Sequence, residues 1–246
     1  MIEMKSKKKP ENKSNVLFHP ECLYSETPNE SFKLHVLQFV QFDEPKRRTP
    51  CILLIQEGPF FLPSLVKFAK KGYTIALVEL RANDRFPNVI YDIKETVRYM
   101  KKNAGTYNID PDQMVLMGGE AAVLAGFTSL SHRLDQSEED CQIHAIIDLY
   151  GKVEPSQEEV ELDEEAHRKC CKNYLFENFG PILIVHGKED PFVPIEQSAR
   201  LYKALKKANK ETQMIILEKE GHGGPAFWSK KMCNHYDRFI KSCFQK

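Results

Sequence analysis

Nothing in the 246 residues approaches the roughly 20-residue apolar run that crosses a bilayer. The opening stretch, MIEMKSKKKPENKSN, lacks the apolar segment of a secretory leader and reads as a flexible basic tail over residues 1–15. The seven cysteines show no C-x-x-C spacing, and their number is odd. That favours a reduced chain with buried or idle thiols over a disulfide framework, and a cytoplasmic location. The adjacent pair Cys170-Cys171 has no motif that would make it redox-active. Neither sign of charge is in excess, with 35 basic and 35 acidic side chains, so no global field recruits nucleic acid. Internal repeats are absent. No cofactor, no metal and no membrane partner are expected, and the oligomeric state is left open.

What is present suits one α/β domain, expected over residues 16–246. Apolar residues make up 41% of the chain, enough for a sizeable core. CILLI (51–55), YTIALVEL (73–80), MVLM (114–117), HAIIDLY (144–150) and PILIVHG (181–187) are continuous apolar runs, as in strands buried on both faces. FKLHVLQFVQF (32–42) and TQMIILE (212–218) also read as strands. Between them lie helical stripes. Ser64 is a candidate cap for a short helix with Leu65, Phe68 and Ala69, ending at Gly72. Ile90, Ile93, Val97 and Met100 share one helical face. Ala199, Tyr202 and Leu205 mark another, and Trp228, Met232, Tyr236, Phe239 and Cys243 a last one. Strand–helix alternation predicts a mostly parallel central sheet with helices on both faces. Two charged stretches read as loops: DQSEED (135–140), and EEVELDEEAHRK (158–169) within a lid-like insertion over 152–176.

In such sheets the working residues lie at the carboxyl ends of strands. The loops to inspect start near Gln56, Arg81, Gly118, Gly151, Gly187 and Lys219. One reads Gln56-Glu57-Gly58-Pro59. Another reads Gly118-Gly119-Glu120-Ala121-Ala122, a strand-to-helix turn written G-x-S-x-G in many hydrolases, with glutamate in the serine position. A third carries Lys188-Glu189-Asp190, and a fourth Gly221-His222-Gly223-Gly224. The order elbow, acid, histidine is that of an α/β-hydrolase.

From about residue 21 onward the chain resembles the α/β-hydrolase superfamily, specifically its small acetyl-esterase and xylan or feruloyl esterase-like group. The segment RANDRFPNVIYDIKETVRYMKKNAGTYNIDPDQMVLMGGEAA is similar to that group's strand, helix and elbow. VHGKEDPFVPIEQSARLYKALKKA resembles its acid loop, and GHGG its histidine loop. The resemblance implies a single α/β-hydrolase domain, with Asp190 as acid, His222 as base and Glu120 at the nucleophile position. It also implies an oxyanion loop at Gln56, Glu57 and Gly58, with Ala121 following the elbow. The group usually has His-Gly-Gly-Gly in that loop, so both the loop and the nucleophile depart.

These departures have chemical weight. A serine nucleophile gives its proton to histidine as it attacks, and an ionised glutamate has none to give. A carboxylate can attack directly, but Glu120 would carry its oxygen over an ångström too far, by one methylene, and about 1 Å of misplacement can cost roughly 10²-fold in rate. Glu57 would set a negative charge where an oxyanion forms. The bland reading of Glu120 is a carboxylate favoured by a helix N-terminus. Asp190 and His222 read equally as a structural hydrogen bond that orders two loops. Ser129 and Ser131 are expected two or more turns into the helix after the elbow, too far to replace the nucleophile, and Cys141 follows an acidic loop.

Three functions remain open. The first is a degenerate esterase-like protein that binds a small ligand without serine-hydrolase turnover. The second is an active hydrolase of small esters, with Glu120 as nucleophile or water-positioning group beside His222 and Asp190. The third is an interaction protein that uses the acidic surface at 158–165. Glu57, Glu120 and His222, if they meet, also form a set that suits a shared proton or a cation.

Overall fold

The computed structural model describes residues 14–26, 31–42, 47–56, 62–79, 86–131, 134–135, 137–154 and 171–244. Eight strands form one sheet in the order β1-β2-β4-β3-β5-β6-β7-β8. They are β1 (Ser14–Glu26), β2 (Ser31–Gln41), β3 (Thr49–Gln56), β4 (Thr74–Glu79), β5 (Ile109–Gly118), β6 (Ala145–Leu149), β7 (Ile182–Gly187) and β8 (Thr212–Leu217). β1 and β2 pair antiparallel, as do β2 and β4. From β4 through β8 every pairing is parallel.

The apolar runs pack as two-sided strands. Along β3, Leu53 and Ile55 join one core while Ile52 and Leu54 join the other. That is the period of two expected of a strand. The first core holds the inward faces of α2 (Asn88–Lys102), α4 (Glu120–Phe127) and α5 (Glu196–Lys207). The second holds those of α1 (Leu62–Ala69) and α6 (Lys230–Phe244). A short α3 (Ala104–Tyr107) follows α2, and 3-10 turns occupy Cys171–Tyr174 and Pro225–Trp228. Helices therefore cover both faces of the sheet, as expected from the alternation.

Some local readings are corrected. Ser64 does not cap α1; the helix already begins at Leu62. β1 begins at Ser14, inside the stretch read as tail; its mixed pattern at the sheet edge carries no clean alternation. Trp228 precedes α6 in a 3-10 turn. Helix α4 stops at Phe127, so Ser129 and Ser131 lie beyond it, not within it. Ser129 is buried, and its Oγ accepts the Ile143 N–H at 3.2 Å. The helix-ending Thr128 Oγ1 turns back to the Leu124 carbonyl at 2.9 Å. Residues 1–13, most of the lid-like insertion (155–170), Cys170, Glu57 and Gly58 lie outside the described residues.

Beside α4 a buried ion cluster ties α2 to the chain that follows. Asp135 accepts from Arg98 at 2.8 Å and pairs with Lys94 at 3.2 Å. Lys94 also donates to the Thr128 carbonyl at 2.8 Å. All three side chains are almost wholly buried. Cys141 packs against the cluster, and burial pushes its thiol up to about 11.

Candidate active site

Parallel strands place their carboxyl ends on one edge, and the predicted loops leave from that edge. β5 ends at Gly118, where a side chain would stand 2.5 Å from the Ile55 carbonyl of β3. Only glycine lets the two backbones approach so closely. Gly119 then turns the chain, and Glu120 is the first residue of α4. Its carboxylate belongs to the first helical turn, where N–H groups lack intrahelical acceptors and a negative charge is favoured by on the order of 0.3–1 kcal/mol. Ala121 follows in the same turn. Glu120 and Ala121 are both half-buried, as is Gln56 at the end of β3.

The acid and histidine loops meet. His222 Nδ1 donates to Asp190 Oδ2 at 2.7 Å. Asp190 Oδ1 accepts the N–H groups of Phe192 and Val193, both at 2.9 Å. Burial alone would raise the Asp190 carboxyl. The two N–H groups and His222 outweigh it and hold the carboxyl below its ordinary value. The aspartate is therefore ionised and fixed, and it directs the His222 ring. With Nδ1 carrying the proton, the Nε2 of a neutral ring is left to accept. The His222 side chain keeps one third of its surface exposed while Asp190 has none.

A second histidine braces the acid loop from below. His186 is buried; its Nε2 donates to the Val193 carbonyl at 2.8 Å and lies 3.5 Å from Asp190 Oδ2. Burial lowers its basicity, so its Nδ1 accepts the Ser198 hydroxyl at 2.7 Å. Glu220 braces the histidine loop by accepting the Ala226 N–H at 2.6 Å.

The turn after β6 joins the elbow to the histidine. Tyr150 stands in the left-handed region at φ 49, which costs a non-glycine residue of order 1–3 kcal/mol. Its ring packs on His222 with centroids 4.1 Å apart. Phe192 covers the same imidazole edge-on at 5.6 Å and is itself 77% exposed. On the other side of the turn, a Cβ on Gly151 would lie 3.1 Å from the Glu120 nitrogen and 2.6 Å from Asp148 Oδ1. Asp148 is wholly buried at the end of β6, and its Oδ1 accepts the Gly151 N–H at 2.8 Å. Its Oδ2 has no protein partner, and burial pushes the carboxyl up to about 7.

The structure thus brings Asp190 and His222 into direct contact, with Tyr150 on the His222 ring and the next residue, Gly151, close to the Glu120 backbone. Glu57 and Gly58 fall outside the described residues, and with them the meeting of Glu57 and Glu120. Among the described residues, no cluster of three histidine, cysteine or acidic side chains could hold a metal ion. Within that same set, no helix is long and apolar enough to cross a membrane. Sequence reasoning missed Tyr150, Phe192, His186 and Asp148. The loop start near Gly151 pointed to the first, and DPF next to the acid to the second. Each buried partner reads in sequence as a lone polar residue in an apolar run.

A sheet of this order, with an elbow at β5 and an acid–histidine pair in the loops after β7 and β8, defines an α/β-hydrolase, and its neighbours are esterase-like. The chain belongs to the prolyl oligopeptidase family, whose model matches residues 123–246, half of the chain. A second family model, BD-FAE, matches residues 56–170. Esterase LipQ of Mycobacterium tuberculosis is 24% identical over 203 residues, covering 68% of this chain and 48% of that protein. Esterase LipC of the same organism is 22% identical over 219 residues, covering 74% and 54%. The chain spans about half the length of these curated relatives. Among solved structures, a thermophilic esterase of Thermogutta terrifontis superposes with a TM-score of 0.74 at 23% identity, covering 91% of this chain and 92% of that one. A truncated carbohydrate esterase from gut microbiota gives 0.76 at 20% identity, covering 97% and 100%.

Proposed function

We propose that this protein is a degenerate esterase-like α/β-hydrolase: its pocket binds a small ester or carboxylic ligand without serine-hydrolase turnover. The observation that carries the reading is Glu120 at the first position of α4, directly after the Gly118-Gly119 turn; we read it as occupying the place of a hydroxyl nucleophile. The carboxylate there is accommodated by the helix N-terminus and supplies no proton for His222 to take. The acid–histidine pair keeps the two loops in register. Gln56 and Glu57, in place of a glycine-rich loop, add to the case, since losing one oxyanion donor costs about 10²–10³ in rate. The proposed ligand is a small molecule; neither nucleic acid nor a membrane is invoked, and the chain is taken to work in the cytoplasm.

A second reading is favoured by the preserved pair. Asp190 accepts the Nδ1–H of the His222 ring, which would leave Nε2 to exchange a proton with a ligand. A Glu120 oxygen would attack the acyl carbon and form a mixed anhydride, while a protonated His222 Nε2 gives its proton to the leaving alkoxide. Water that loses its proton to His222 Nε2 would then cleave the anhydride and regenerate the carboxylate.

Hydrolysis of a short-chain aryl acetate by the purified protein, beside His222→Ala, tests both. Equal background rates are expected. Turnover well above the variant's overturns the first reading, and an acyl adduct on Glu120 trapped in His222→Ala establishes the second.

A further inference from the structure

At the opposite end of β3 from the candidate site lies a cavity of about 340 Å³. It is lined by Arg47, Arg48, Lys70 and Lys71, with Phe39 and Pro50 among its other walls. Seven residue steps separate Thr49 from Gln56, roughly 23 Å of strand, so this cavity shares no residue with the elbow, acid or histidine loops.

Its charge is unusual for this chain. The whole sequence is neutral, yet four cations line this cavity, and among the described residues no carboxylate does. Lys71 shares Asp237 at 3.7 Å, and that carboxylate already serves Lys241 and the Tyr73 hydroxyl. Arg47, Arg48 and Lys70 have no ion-pair partner among the described residues. A helix C-terminus explains lysines at 70 and 71, which follow α1. It does not explain two arginines brought from the start of β3. All four cationic residues are exposed and hydrated, so they cost little alone, but together they favour an anion, and guanidinium forks suit an oxyanion with several charged oxygens. The volume falls within the range of small-molecule pockets and exceeds the need of a bare ion. Phe39 and Pro50 offer apolar surface to an organic portion.

We propose that this cavity is a binding site for a phosphate group carried on an organic molecule, separate from the esterase-like pocket and independent of whether that pocket turns over.

The test is thermal shift and calorimetric titration of the whole protein with phenyl phosphate, inorganic pyrophosphate and sulfate at about 150 mM salt, where diffuse surface attraction is screened. A parallel arm uses sedimentation with phosphatidylcholine vesicles containing phosphatidic acid, which separates a lipid headgroup from a soluble phosphate. Phenyl phosphate and pyrophosphate are expected to bind and to raise the melting temperature, with sulfate weaker. Arg48→Gln should weaken binding about tenfold, the worth of a hydrogen bond to a charged group. Arg47→Gln/Arg48→Gln/Lys70→Gln should abolish it, with unchanged far-ultraviolet circular dichroism. Lys203→Gln/Lys206→Gln/Lys207→Gln removes the same charge from α5 and should leave binding intact. Binding to vesicles alone, lost in the first triple variant only, assigns the phosphate to a lipid. Absence of binding in both arms overturns the proposal, as does equal loss in the two triple variants.

Discussion

Asp190 receives His222 Nδ1 on one carboxylate oxygen at 2.7 Å and two backbone N–H groups on the other at 2.9 Å. The three donors keep it ionised despite its burial. Its depressed pKa makes it a source of stability that is present above the unfolded value near 3.9 and lost as pH falls through the folded one. Asp190→Asn removes that charge. At pH 7 the variant should be about 1–3 kcal/mol less stable in urea titration, the worth of hydrogen bonds to a charged acceptor. Near pH 3 the two proteins should approach each other. A gap that persists at low pH would mean that packing, not ionisation, holds the loop.

Asp148 has the opposite sign. Burial raises its carboxyl to about 7, so the folded protein retains a proton that the unfolded chain releases near 3.9. Its contribution is fully present below pH 4 and is lost as pH rises through 7. Asp148→Asn keeps an acceptor for the Gly151 N–H and cannot ionise. Between pH 4 and 8 its stability relative to wild type should rise by roughly 4 kcal/mol, at 1.36 kcal/mol per unit. Parallel stability curves for the two proteins would place the proton elsewhere.

The sequence made the layered architecture legible, because the central strands are apolar on both faces and α2, α5 and α6 on one, while α4 is buried almost throughout. Elbow, acid and histidine were legible too: the first two loops begin where an apolar run stops at glycine, and the third carries Gly221-His222-Gly223-Gly224 shortly after TQMIILE. What stayed hidden was relational. Asp148 within AIIDL and His186 within ILIVHG interrupt apolar runs, but their partners, Gly151 and Ser198, are set by loop geometry and helix packing. Tyr150 draws its meaning from a left-handed backbone and from His222, 72 residues later. β1 escaped notice because an edge strand exposed on one side carries a weak pattern.

Gly151→Ala tests the bridge between elbow and histidine. The added methyl would stand 2.6 Å from Asp148 Oδ1 and 3.1 Å from the Glu120 nitrogen. The crowding should cost about 1–3 kcal/mol, read as a lowered urea midpoint with an unchanged slope. Chemical shifts of Glu120 and His222 should both move in NMR spectra. If only the residues next to 151 respond, the turn does not couple the two sides.

Asp135→Ala probes the buried cluster under α4. Its removal leaves Lys94 and Arg98 facing each other with side chains almost wholly buried. Arg98 keeps Glu95 at 2.6 Å; removing one partner from a buried ion cluster costs about 3–5 kcal/mol. Urea unfolding at pH 7 measures it; a loss below about 1 kcal/mol would mean that water reaches both cations.

Glu120→Ser tests the proposal that the residue at this turn prevents serine-type turnover. The variant restores a hydroxyl at the first position of α4, with Asp190 and His222 already hydrogen-bonded. Only the Gln56-Glu57-Gly58 loop then departs from a glycine-rich oxyanion loop. On the proposed reading Glu57 would set a negative charge against a forming oxyanion, and a missing donor costs about 10²–10³ in rate. The variant should therefore hydrolyse an aryl acetate slowly, and Glu120→Ser/His222→Ala should return to background. Adding Glu57→Gly should raise the rate by a further factor of about 10² or more. A Glu120→Ser protein as inert as wild type, which stays inert when Glu57→Gly is added, would place the defect in the orientation of His222 and not in the missing nucleophile.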